Sequence, residues 1–133
     1  MPNIILEYTD NLDFDPIPFL ETLHHDLVEQ VDSIRYKGLK SRAIKLTEYH
    51  MAEGNPAYKM VNITAVLREG RPQAVKEQVA NILMDALKAE FGPRREKGEY
   101  INLSTDFREL FHGIALTDNN WPVEGLSPEK RRS

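Results

Sequence analysis

Pro2-Asn3-Ile4-Ile5-Leu6-Glu7-Tyr8 is an apolar run of strand length, and Asp15-Pro16 soon after it marks a helix start. The aspartate is a capping residue, and the proline stands at the first helical position, where its missing N–H costs nothing. Leu20, Leu23, Leu27, Val28 and Val31 then recur at helical spacing, and Gly38 closes that region. Lys40-Ser41-Arg42-Ala43-Ile44-Lys45-Leu46-Thr47 reads as a second strand and Glu53-Gly54-Asn55-Pro56 as a turn. Residues 58–67, with several β-branched side chains, predict a third strand. Gly70-Arg71-Pro72 opens a second helix, lined on one face by Val75, Val79, Ile82, Leu83, Ala86, Leu87 and Phe91, with Gly92-Pro93 as its expected stop. A fourth strand is expected over residues 100–107.

The order is β-α-β followed by β-α-β. It predicts a single α+β domain of two layers over residues 1–133: a four-stranded mixed sheet with two helices on one face. Each parallel crossover should be right-handed, and the repeated order is consistent with a weak internal duplication. Two helices on one face leave the other face without a cover. A bare apolar sheet face is a liability in a chain this small, so association through that face is expected. The segment from about residue 110 onward has few periodic cues. Asn119-Asn120-Trp121-Pro122 reads as loop, and this C-terminal extension is expected to lie over a neighbouring subunit.

Composition removes several functional classes. A chain of 133 residues is long enough for one real core, and 41% hydrophobic with 29% charged residues is ordinary for a soluble globular protein. A net charge of −4 argues against a general nucleic-acid binder. The basic cluster Lys130-Arg131-Arg132 reads as a solvated end. With no cysteine, disulfides and thiolate metal sites are excluded. No apolar run reaches membrane length and no secretory signal is visible, so a cytoplasmic location without a membrane partner is expected.

Most candidate motifs are weak. His24 and His25 are adjacent on a helix and point to different faces, so they cannot chelate one metal, and His50 and His112 are isolated. Asp13 and Asp15 precede a helix and read as capping residues. Gly70 lacks the partner glycines of a phosphate loop. Tyr8, Tyr49, Tyr58 and Trp121 read as packing residues. Pro2 is different. Met1 precedes a small residue, so its removal is expected, and the chain would then begin with a free prolyl amine. Met-Pro alone is common and identifies nothing. Here the ring fixes the direction of the amine, and the strand that follows holds a terminus that would otherwise fray.

Pro2 opening a strand, Lys40-Ser41-Arg42 opening the next, and Glu69-Gly70-Arg71 before the second helix resemble the tautomerase superfamily. Met51-Ala52-Glu53-Gly54 and Asn119-Asn120 extend the resemblance over nearly the whole chain, which is most similar in length and order to the 5-carboxymethyl-2-hydroxymuconate isomerases. The resemblance implies a homotrimer and an isomerase that uses no cofactor and no metal. It also implies Pro2 as the catalytic base, with Arg71 and the Lys40-Ser41-Arg42 segment binding the carboxylates of a small-molecule dicarboxylate from aromatic-compound breakdown. One position departs from the pattern: Lys40 stands where the family carries arginine. Lysine keeps the charge and loses the planar fork that grips a carboxylate with two bonds. Lys40 and Arg42 alternate to the same strand face, so both can line one pocket.

The chemistry follows independently. Moving a proton between carbons of an unsaturated keto acid needs a base that is neutral at the working pH and then serves as the acid. A free α-amino group has a pKa of roughly 7.7–8.0, and burial with nearby guanidinium charge lowers it. Pro2 fits that role, and Arg42 and Arg71 would stabilise the developing dienolate. The competing reading is a non-catalytic trimer of the same fold that binds an acidic metabolite or a protein partner.

Overall fold

The computed structural model describes residues 2–122; the basic cluster at 130–132 lies outside them. Strand β1 spans Asn3–Thr9, helix α1 Pro16–Gln30, β2 Lys40–Leu46, β3 Tyr58–Arg68, α2 Gln73–Glu96 and β4 Tyr100–Leu110. A single 3-10 turn, Tyr36–Gly38, leads into β2. The strands lie in the order β2-β1-β3-β4. β1 runs parallel to β2 and antiparallel to β3, and β3 runs parallel to β4. This is the two-layer mixed sheet that the sequence predicts. Among the described residues no helix is long and apolar enough to cross a membrane.

Alternation along the strands places the core. Ile4, Leu6 and Tyr8 of β1 are level with Ala65, Ile63 and Val61 of β3, and all are buried with Leu20, Leu23, Leu27, Leu83, Leu87 and Phe91 from the helices. The Phe91 ring stands 5.0 Å from that of Phe14, which packs edge-on to Tyr8 at 5.5 Å. Asp15 caps α1 by accepting the Ile17 N–H at 3.1 Å, as its position before Pro16 predicts.

Two expectations fail. Gly92-Pro93 does not stop α2, which continues to Glu96 with Pro93 inside it. Proline removes one helical N–H near the end of the helix, and the chain tolerates that loss for one more turn. The stop is Gly98, whose φ of +100° turns the backbone out of the helix while its N–H reaches the Arg95 carbonyl. The uncovered sheet face is also not apolar. Asn3, Glu7, Lys40, Arg42, Asn62, Thr64, Ser104, Asp106 and Arg108 alternate onto it beside Ile5, Ile44 and Val66. Asn62 accepts the Ser104 hydroxyl at 2.7 Å and donates to Thr64 Oγ1 at 3.2 Å, tying β3 to β4 across this face.

The register also gathers four strand ends. β1 and β2 begin, and β3 and β4 finish, at one end of the sheet. Every proposed site residue belongs to a segment at that end.

Candidate active site

Pro2 is buried immediately before β1, and its carbonyl accepts the Lys40 N–H at 3.1 Å. That bond joins the starts of β1 and β2 and sets the register in which Asn3 is level with Lys40 and Ile5 with Arg42. Ser41, between the two cations, points the other way, toward the helices. Its hydroxyl pairs with the ring Nε2 of His24 on α1. Burial pushes the His24 imidazole below its ordinary pKa, so the neutral ring is favoured as the partner that anchors the start of β2.

Arg71 reaches the same end from β3. Glu69 and Gly70 turn the chain out of the strand, and Gly70 has a φ of +110° that a side chain would oppose. The Glu69 N–H donates to the Leu110 carbonyl at 3.0 Å, and its carboxylate accepts the His112 N–H at 3.2 Å. These bonds hold the turn against the end of β4. Arg71 then sits just before α2, half-buried, with Nε donating to Ser33 Oγ at 3.3 Å and one terminal nitrogen donating to the Arg68 carbonyl at 3.4 Å. Burial lowers the guanidinium pKa from its usual high value, which leaves it cationic near neutral pH but less well solvated than a surface arginine.

Among the described residues, the ion pairs are Lys59–Glu99, Lys76–Glu109 and Arg108–Asp106. Lys40, Arg42, Arg68 and Arg71 therefore have no carboxylate partner there. The segments that carry Pro2 and these four cations thus lie at one end of the sheet. Arg68 was not among the sequence-derived candidates. It ends β3 without a motif, level with Leu110 of β4. Residues 117–121 close over Lys40 and share with it a cavity of about 120 Å3. The aromatic expectations divide. Tyr8 is core. Tyr49 and Tyr58 lie at the far end and donate hydrogen bonds to Asp10 and Glu53. Trp121 lines the Lys40 cavity.

A larger cavity, about 690 Å3, lies at the opposite end of the sheet, among Met51, Tyr58, Met60, Tyr100 and Ile101. Its size does not make it the catalytic centre. The Lys59–Glu99 pair on its wall, at 2.9 Å, is already neutralised, and Arg95 is engaged with the Ile101 carbonyl at 3.1 Å.

Comparison with known proteins identifies the family. The sequence profile of the 5-carboxymethyl-2-hydroxymuconate isomerase family matches residues 2–122. The chain is 25% identical over 121 residues to the 5-carboxymethyl-2-hydroxymuconate Delta-isomerase of Escherichia coli, covering 90% of this chain and 95% of that protein. A crystal structure of a 5-carboxymethyl-2-hydroxymuconate isomerase from Deinococcus radiodurans R1 superposes with a TM-score of 0.82 at 29% identity, over 90% of each chain. A fused 4-OT described as a symmetric trimer superposes with a TM-score of 0.62 at 14% identity, over 81% of this chain and 85% of that one, and shares the fold alone. The chain has the tautomerase fold and belongs to the 5-carboxymethyl-2-hydroxymuconate isomerase family. It is an isomerase.

Proposed function

We propose that the protein is a cofactor-independent isomerase that moves a proton within an unsaturated 2-hydroxy/2-keto acid carrying two or more carboxylates, with 5-carboxymethyl-2-hydroxymuconate as substrate in aromatic-compound degradation. The observation that carries this reading is the buried Pro2, tied by backbone to Lys40, at the sheet end where Arg42, Arg68 and Arg71 have no carboxylate partner among the described residues. The name of the Escherichia coli relative supplies the substrate.

The mechanism follows from the groups present. Once Met1 is removed, the Pro2 nitrogen is a secondary amine, and surrounding positive charge lowers its pKa below the free-amine range. The neutral amine takes a proton from one carbon of the substrate. The electron pair delocalises into a dienolate, and the prolyl ammonium returns the proton to a different carbon, so the amine is regenerated. Arg71 and Arg42 bind carboxylate and stabilise the oxyanion as its charge develops. Lys40 contributes a point charge and not a bidentate grip.

We also infer a homotrimer, supported by the shared fold with a fused 4-OT described as a symmetric trimer. The test of the chemistry is a panel of unsaturated 2-hydroxy and 2-keto mono- and diacids followed by ultraviolet absorbance. Conversion should favour the diacids. No turnover of any diacid, or equal turnover of monoacids, would contradict the proposal.

A further inference from the structure

Arg71 is held entirely by neutral atoms. Its Nε donates to Ser33 Oγ at 3.3 Å and one terminal nitrogen donates to the Arg68 carbonyl at 3.4 Å. None of the ion pairs among the described residues includes it. These bonds take the Nε–H and one terminal N–H. The donors that remain are all on the two terminal nitrogens, the end of the fork that can meet a carboxylate with paired bonds. A carboxylate in place of either acceptor would also hold the side chain, but it would neutralise it. A hydroxyl and a carbonyl fix the group and leave its charge to a ligand.

Ser33 is itself firmly placed. It lies in the connection between α1 and β2, in a turn closed by the Ile34 N–H on the Val31 carbonyl at 3.0 Å. Val31 and Ile34 are buried, while Ser33 between them is exposed. Gln78 of α2 donates to the Gln30 carbonyl at 2.7 Å, and Arg35 donates to the Asp32 carbonyl at 2.8 Å, so the backbone is tied on both sides of Ser33. On the other partner, Gly70 with a φ of +110° and Pro72 with a φ of −60° bracket Arg71. A long side chain that is free in solution loses rotamer entropy when it binds, and one already held loses less. We propose that Ser33 is a positioning residue: its hydroxyl sets the Arg71 guanidinium in place, with its charge intact, for a carboxylate of the substrate. This inference rests on the diacid reading above and adds a residue on which it depends.

Kinetics of full-length Ser33 variants on a diacid test it, each variant having a far-ultraviolet spectrum that matches the parent. Ser33→Ala should lower kcat/KM roughly 3- to 10-fold, the range that an ordinary hydrogen bond is worth. Ser33→Thr keeps the hydroxyl and should recover most of that loss. Ser33→Asp should be worse than Ser33→Ala, because its carboxylate would pair with Arg71 and compete with the substrate. In an Arg71→Ala background, Ser33→Ala should cost nothing further, since the guanidinium it places is gone. A loss in Ser33→Ala that persists undiminished in that background would make Ser33 a residue of the turn alone and overturn the inference. Parental activity in Ser33→Ala or Ser33→Asp would overturn it too. These outcomes leave diacid turnover standing, whereas a parent that converts no diacid would remove the proposed function along with this inference.

Discussion

Arg71 is the residue on which ground-state and transition-state binding converge in this account. It is half-buried, has two neutral acceptors and lacks a carboxylate partner among the described residues. Arg71→Ala should lower kcat/KM for a diacid by roughly 10- to 100-fold, the worth of a charged hydrogen bond of about 1.5–3 kcal/mol. It should move the melting temperature little. Unchanged turnover at unchanged stability would make Arg71 a surface charge. His24 makes a different prediction. Its folded pKa lies below the ordinary 6.5 because of burial. As pH falls through 6.5 the unfolded chain takes up a proton that the folded chain resists, so stability drops on the acid side. Denaturant midpoints at pH 7 and pH 5 should separate less in His24→Gln than in the parent. An equal separation would show that His24 does not contribute to the acid loss. Pro2, Lys40, Arg42 and Arg71 are proposed from the family resemblance, and their places at the start of an element or beside a turn were legible in the sequence. The His24–Ser41 pair was not, because the two residues are distant in sequence and are brought together by helix packing.

Both helices and all four strands were legible from periodicity, capping residues and turn residues. The end of α2 was not. Gly92-Pro93 resembles a stop, yet the geometry that ends the helix is the positive φ of Gly98. The two glycines therefore give opposite predictions. Gly98→Ala should destabilise by about 1 kcal/mol or more, because alanine must adopt a left-handed conformation. Gly92→Ala should stabilise by roughly 0.5–1 kcal/mol, since Gly92 is inside the helix and an added Cβ meets nothing within 4 Å. Thermal unfolding of the two variants reads the difference, and a loss at position 92 with none at 98 would return the stop to Gly92-Pro93. β4 likewise runs to Leu110, three residues beyond its expected end at Phe107, because pairing with β3 continues past the apolar alternation to Arg68.

For the whole molecule, the uncovered sheet face was expected to be apolar and to drive assembly. It is mixed, with an Asn62–Thr64–Ser104 network across β3 and β4. Alternation shows which side chains share a face, but the pairing of strands decides which polar groups satisfy one another. Assembly therefore need not bury that face as a dry core. Sedimentation equilibrium in the micromolar range should give a trimer, and a monomer throughout would contradict the homotrimer.

The central claim is that the Pro2 amine is the base, and the form of the terminus tests it most directly. Two samples of the same chain, one with Met1 removed and one with Met1 retained, are verified by intact mass and assayed on the same diacid at several pH values. Retaining Met1 turns the nitrogen into an amide with no basic lone pair. Activity should be confined to the processed sample and rise with pH through a pKa below the free-amine range of about 7.7–8.0. Full activity in the Met1-retained sample would contradict the mechanism.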